Sequence, residues 1–176
     1  MILKGFKEKS NKKYLSKIVS IRNVNVTDSI LKSLGVIIHI EEIDDFDIFR
    51  SLAEELNIHV NKFKIIAYSN NTKSEHSLWD VCFNPTDFGW KGTIKNVELK
   101  TFLDTEFDAL ISYYAKDELE LKLMTAMSQA KLKIGILQTD DRINDLIIKS
   151  KLWEFNIFKD ELFKYLTILK KLKNEQ

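Results

Sequence analysis

The chain has very little cysteine, which limits both its redox chemistry and its metal chemistry. Cys82 is the only cysteine among 176 residues, and this excludes an internal disulfide and any zinc site built from several thiolates. Because no signature of a nucleophile surrounds it, we interpret this thiol as a packing residue. Such low cysteine usage fits a reducing compartment, and we expect a cytoplasmic protein.

Glycine and proline are also scarce, with five and one residues. Neither G-x-G-x-x-G nor G-x-x-x-x-G-K followed by Ser or Thr occurs, so the common phosphate-binding loops are excluded. The three histidines lack the i, i+4 spacing of a helical zinc site. We expect His39, inside a core strand, to be a hydrogen-bonded structural residue. Without a reaction motif, the sequence favours a protein that is not an enzyme and predicts no cofactor.

Long apolar runs are missing as well. No stretch approaches the roughly 20 apolar residues that a membrane span needs. The first residues lead into lysines and a glutamate rather than into the apolar region of a signal peptide, so we expect neither a membrane span nor a secretion signal. With 44% hydrophobic and 30% charged residues, the composition is that of an ordinary globular protein with one core.

What the sequence does have is an uneven distribution of charge. Residues 1–33 contain eight basic and two acidic side chains, 8 − 2 = +6, so residues 34–176 carry +1 − 6 = −5. Tyr14, Leu15, Ile18 and Val19 recur at helical spacing, which predicts a short amphipathic helix with a basic outer face. We call residues 1–33 the basic arm and expect a single α/β domain over residues 34–176. The candidate partner-binding residues of the arm are Lys4, Lys7, Lys9, Lys12, Lys13, Lys17 and Arg22.

The basic arm has three interpretations. A solvated helix face needs no partner. Clustered lysines can also neutralise the phosphates of nucleic acid or of a nucleoprotein assembly, although the arm has few arginines for base recognition. Docking to a membrane surface or to an acidic protein is the third interpretation. Since no reaction motif is present, we favour a non-catalytic interaction module whose arm contacts nucleic acid or a nucleoprotein assembly.

From residue 34 onward, apolar runs typical of strands alternate with helical patterns. The predicted strands are 36–40, 63–68, 107–114 and 132–137, and the predicted helices are 44–56, 97–103, 119–130 and 156–173. Because helical segments separate the strands, we expect crossover connections and a mainly parallel sheet. The sequence therefore predicts a Rossmann-like, three-layer α/β fold with a sheet of about four to five strands, preceded by the basic helix.

Acidic side chains follow three of the predicted strands. Ligands of parallel α/β sheets bind at the carboxyl ends of the strands, where converging carboxylates could hold Mg²⁺. The same acids could instead cap the helices that follow, and we favour this interpretation. A small-molecule or Mg²⁺-dependent enzyme with a site at these strand ends is the alternative function. The acids are Glu41, Glu42, Asp44, Asp45, Asp117, Glu118, Asp140 and Asp141.

Residues 75–96 fit the alternating pattern least well, because turn formers and large aromatic residues are concentrated there. We expect an excursion from the sheet with a short strand at residues 78–83. His76, Trp79 and Trp90 are its candidate pocket residues, although aromatic side chains that simply cover one edge of the sheet are the favoured interpretation.

Three segments carry a resemblance to a known family. They are residues 3–7, Leu-Lys-Gly-Phe-Lys, residues 107–111, Phe-Asp-Ala-Leu-Ile, and residues 126–135, which run from Ala126 to Gly135. Over nearly its whole length, the chain resembles a family of small uncharacterised bacterial proteins that contain a domain of unknown function. The resemblance implies a cytoplasmic α/β protein and supplies no catalytic residues.

Overall fold

The computed structural model describes residues 2–24, 26–71 and 82–173. Within them, six parallel strands form one sheet in the order β3-β2-β1-β4-β5-β6. All six residues of β1 are buried, as expected for a central parallel strand covered on both faces. The strands are β1 (Leu34–His39), β2 (Phe63–Tyr68), β3 (Cys82–Phe83), β4 (Ala109–Tyr113), β5 (Leu132–Gly135) and β6 (Leu146–Ile147).

Helices cover both faces of this sheet. Successive side chains of a strand point to opposite faces, so Val36 and Ile38 of β1 pack in one core cluster while Ile37 packs in the other. The first cluster is completed by α2 and α5, and the second by α1, α3 and α4. The helices are α1 (Ile2–Ser20), α2 (Asp47–Glu55), α3 (Val97–Asp104), α4 (Leu119–Met127) and α5 (Phe155–Ile168).

The predicted fold class is confirmed: the protein is an α/β protein with one mainly parallel sheet and an N-terminal helix. The sheet has one strand more than the four to five expected, because β6 is only two residues long and gives no strand pattern. The strand predicted at residues 78–83 is confirmed at its last two residues, and the rest of it lies outside the described residues.

Several helix boundaries differ from the prediction, including the end of α4 at Met127 instead of residue 130, and two of the differences have local reasons. Helix α2 begins at Asp47 because the carboxylate of Asp45 accepts hydrogen bonds from the backbone amides of Asp47 and Ile48, at 3.1 and 3.4 Å. Helix α5 ends at Ile168, five residues early. Lys170 there adopts a left-handed φ of 55°, a conformation that stops a helix.

The strand order indicates at which edge of the sheet a ligand site is expected. With β1 between β2 and β4, the chain winds outward in both directions, and the switch point lies between β1 and β4. The loops that leave the carboxyl ends of the strands therefore form the edge to search for a site. No helix among the described residues is long and apolar enough to cross a membrane.

Candidate functional site

Helix α1 is fixed to the body of the protein through one side. Leu15 and Val19 are buried in the core cluster that also contains α3 and α4. Asn11 is buried as well, and its amide donates to the carbonyl of Gly89 at 3.0 Å and accepts from the N–H of Gly92 at 2.9 Å. The helical part of the basic arm therefore has one defined orientation on the sheet.

Arg22 secures the chain just after this helix. Its guanidinium donates to the carboxylate of Asp145 at 2.5 Å and to the carbonyls of Arg142 and Ile143 at 3.2 and 3.1 Å. The side chain is half-buried. Arg22, one of the seven basic residues proposed to bind a partner, thus has its charge engaged inside the fold.

The opposite side of α1 carries a row of lysines. Lys9, Lys13 and Lys17 are exposed and follow each other at i, i+4 and i+8, so they form one line about 12 Å long on the helix surface. We call these three residues the lysine ridge. Lys12 is also exposed but pairs with Glu8 at 2.6 Å.

The remaining predicted lysines, Lys4 and Lys7, face a groove instead. This groove has a volume of about 600 Å³ and lies between α1 and the loops that leave β2, β3, β4 and β5. Lys7 donates from Nζ to the carbonyl of Pro85 at 3.1 Å. Burial, and then the charge of Lys95, lower the pKa of Lys7. The other side chains lining the groove include Tyr68, Asn70, Lys122 and Arg142.

Three of the predicted strand-end acids reach this groove, and each has a partner. Asp117 pairs with Lys122, and Asp140 pairs with Arg142 at 2.9 Å. Glu118 accepts a hydrogen bond from the Asn70 side chain at 2.8 Å. Among the described residues, no group of three or more His, Cys, Asp and Glu side chains could hold a metal ion.

The interpretation of these acids as helix caps holds for only one of the three strand ends. Asp45 caps the first turn of α2, as described above. Glu118 is the N-cap residue of α4, yet its side chain makes no capping hydrogen bond, and the carboxylate turns to Asn70 across the groove. Asp140 accepts from the backbone N–H of Arg142 at 3.1 Å, within the connection to β6 rather than at a helix.

His39 differs from the prediction of a hydrogen-bonded structural histidine. It is fully buried at the end of β1, and its ring packs edge-on against Tyr68 with 5.8 Å between centroids. Nδ1 lies 2.8 Å from a carboxylate oxygen of Glu41, but neither ring nitrogen has hydrogen-bond geometry to any described residue. Burial, and then the charge of Lys116, lower the pKa of His39, so the neutral imidazole is favoured.

Comparison with known proteins places the chain in a family. A family model described as a family of unknown function, DUF6913, matches residues 7–169. The chain belongs to DUF6913. No curated protein matches the chain, and no solved structure does.

The DUF6913 match extends over the lysine ridge and over every strand of the sheet. It leaves out Ile2 and Leu3, whose side chains are 78% and 73% exposed at the tip of α1, and Phe6, which is 58% exposed. The family region therefore contains the basic face of the helix but not its apolar tip.

The predicted aromatic pocket cannot be assembled from the described residues, because His76 and Trp79 lie outside them. Trp90 is 46% exposed, and its carbonyl accepts hydrogen bonds from the backbone N–H and the hydroxyl of Thr93 at 3.0 and 2.8 Å. This pocket stays a prediction.

Sequence reasoning missed the polar side chains that attach α1 to the body of the protein and line the groove. Asn11 carried no signal, because a polar residue in a basic helix is normally solvated. Lys122 and Arg142 lie 20 residues apart in the chain and meet only because β4 and β5 are neighbours in the sheet. A pattern along one chain does not contain that information.

Proposed function

We propose that this DUF6913 protein is a non-catalytic interaction module that contacts nucleic acid, free or within a nucleoprotein assembly, through the lysine ridge. The observation that supports the proposal is the fixed orientation of α1. Asn11, Leu15 and Val19 hold one side of the helix against the body, and this leaves Lys9, Lys13 and Lys17 exposed along the other.

Fixing the helix in advance matters for binding. A flexible arm loses conformational entropy when it meets a partner, whereas a docked helix has already lost it on folding. Each ridge lysine can neutralise one phosphate, and the release of condensed counterions then supplies most of the binding free energy. The ridge therefore suits a partner with regularly spaced negative charge.

The ridge contains no arginine, and lysines that contact phosphates carry no sequence information. We therefore expect binding that depends little on base sequence and strongly on salt. Phe6 is exposed on the same side of α1, where an aromatic ring could stack on an unpaired base. A single strand is consequently the preferred form of the partner.

The salt dependence of binding tests this proposal. Anisotropy of labelled single-stranded and duplex 20-mers gives Kd at several salt concentrations for the wild type and for K9Q/K13Q/K17Q. Glutamine has nearly the helix propensity of lysine, so α1 is expected to persist. Loss of three phosphate contacts should reduce the slope of log K against log salt by about 2 on single strands and by about 2.7 on duplexes.

A matched control removes the same charge elsewhere. Lys32, Lys62 and Lys149 are exposed and lie outside α1, so K32Q/K62Q/K149Q lowers the net charge equally but leaves the ridge intact. The control should keep the wild-type slope. Equal slopes for the two triple variants, or no measurable binding by the wild type at low salt, would contradict the proposal.

The alternative, a small-molecule or Mg²⁺-dependent enzyme at the strand ends, stays a prediction. The groove has a suitable size for a small ligand. Its three strand-end acids, Asp117, Asp140 and Glu118, are however engaged by Lys122, Arg142 and Asn70, respectively. Contact with nucleic acid through the lysine ridge is therefore the function that the geometry supports best.

A further inference from the structure

One lysine lies inside the fold rather than on its surface. Lys133 is the second residue of β5 and is 3% exposed. Its neighbours in the strand, Leu132 and Ile134, point into the cluster that contains α2 and α5, so Lys133 points to the other face, below α4. A buried ammonium group is costly unless it is paired and fully hydrogen-bonded.

The hydrogen bonds of Lys133 do not satisfy an ammonium group. A charged amine has three N–H donors, and among the described residues Nζ meets one acceptor, the carbonyl of Ala126 at 2.9 Å. A neutral amine has two N–H donors and no charge, so burial with this single bond costs it much less free energy. The geometry therefore fits the neutral form better than the charged form.

The nearby carboxylate of Asp145 is already occupied. One of its oxygens accepts from the Arg22 guanidinium at 2.5 Å, and the other accepts from the backbone N–H of Lys133 at 2.7 Å. The Nζ of Lys133 thus has the positive charge of Arg22 nearby but no carboxylate in contact. Burial, and then Arg22, lower the pKa of Lys133 to about 7, although Asp145 acts in the opposite direction.

Lys133 also lies in the wall of a cavity. The cavity has a volume of about 560 Å³ and is bounded by the C-terminal end of α1 and by the segment from the end of α4 into β5. Two further cationic residues, Arg22 and Lys131, line it, and each is paired with an acid, Arg22 with Asp145 at 2.5 Å and Lys131 with Asp108 at 2.8 Å. A buried primary amine therefore borders a space large enough for a small molecule.

We propose that Lys133 is a reactive amine that binds small aldehydes or ketones as a Schiff base in this cavity. The neutral amine attacks the carbonyl carbon and forms a C–N bond and a carbinolamine. The carbinolamine then loses its oxygen as water, and a C=N bond remains.

A purely structural role for Lys133 makes a different prediction. Nζ donates to a carbonyl in the last turn of α4, where a cation complements the helix dipole. In that role Lys133 is a protonated amine shielded from reagents, and it reacts more slowly than the exposed lysines. The two roles are therefore distinguished by which lysine reacts and at which pH.

The experiment uses the whole chain and glyoxylate as the probe. The protein is incubated with glyoxylate and sodium cyanoborohydride between pH 6 and pH 9, and adducts are located by peptide mass spectrometry. At pH 7 an amine with a pKa of about 7 is half neutral, whereas an ordinary lysine with a pKa near 10.4 is neutral in about one molecule in 2,500. We expect Lys133 to be the most heavily labelled lysine at pH 7, with a labelling midpoint near pH 7.

Two variants complete the test. K133R keeps a donor for the Ala126 carbonyl but removes the primary amine, and it should lose the dominant adduct. K149R makes the same change at an exposed lysine and should keep the dominant adduct at Lys133. Because the wild-type map and its pH profile decide the outcome by themselves, the test remains valid if K133R folds poorly. Labelling of exposed lysines with Lys133 unmodified, or a Lys133 profile that matches theirs, overturns the proposal.

Discussion

Replacing Asn11 with alanine is expected to loosen the attachment of α1 and to destabilise the whole protein. Asn11 has the only buried polar side chain in the described part of α1, and its amide joins the helix to residues 89 and 92. In the variant, the carbonyl of Gly89 and the N–H of Gly92 lose these partners. Because Gly89 and Gly92 are both buried, water does not easily take the place of the lost amide as their hydrogen-bond partner.

The magnitude follows from these two groups. A buried backbone group left without a partner costs about 1–3 kcal/mol, so the two together cost about 2–6 kcal/mol. Alanine recovers about 0.5 kcal/mol through its better helix propensity. For a protein of this size, each kcal/mol lowers the midpoint of thermal unfolding by about 2–4 °C, and a fall of about 10 °C is the central expectation.

Urea unfolding followed by tryptophan fluorescence measures the change in free energy, and amide hydrogen exchange measures the opening of α1. Ser16→Ala is the matched control, because it has the same gain in propensity at an exposed position of the same helix. Its free energy of unfolding should stay within about 0.5 kcal/mol of the wild type. An Asn11→Ala variant as stable as this control, with unchanged exchange in α1, would refute the reasoning.

Two further predictions concern Gly92 and His39. Gly92→Ala should lower the free energy of unfolding by about 2–5 kcal/mol, because Gly92 has a φ of 72° and a Cβ there overlaps the Tyr14 ring of α1. Urea unfolding measures this loss. The control is Gly5→Ala, where no atom lies within 4 Å of the new Cβ, and it should be neutral or stabilising. The lowered pKa of His39 means that the unfolded chain binds the proton more tightly. Stability should therefore fall as the pH drops below about 6.5, and the fall should be smaller in His39→Gln. If the free energy of unfolding of the wild type and of His39→Gln depends equally on pH, His39 does not contribute to the loss of stability in acid.

The inner strands and part of the edge strand β3 could be predicted from the sequence, and the edge strand β6 could not. β1, β2, β4 and β5 are runs of β-branched and other apolar residues, as expected for strands covered on both faces. β6 consists of Leu146 and Ile147, which is too short for any periodicity. The order of the strands depends on contacts between segments that are distant in the chain. The helices between successive strands predict only that the strands are parallel.

The candidate site could be predicted only in part for the same reason. The lysines of the basic arm were visible as a composition bias, but which of them face solvent depends on where Asn11, Leu15 and Val19 dock. The sequence does contain a signal for the burial of Lys133. It lies within the apolar run of β5, and a polar residue in a strand covered on both faces is buried whichever face it points to.

Helix α1 connects the features from which function is inferred. Its outer side carries the lysine ridge, Lys4 and Lys7 line the groove at the strand ends, and Arg22 just beyond it borders the cavity of Lys133. Loosening α1 through Asn11 should therefore weaken both nucleic-acid binding and the selective labelling of Lys133. Removal of the ridge charges should affect binding alone, since Lys9, Lys13 and Lys17 do not line that cavity. The ridge variant thus separates the two proposals, because each can fail while the other stands.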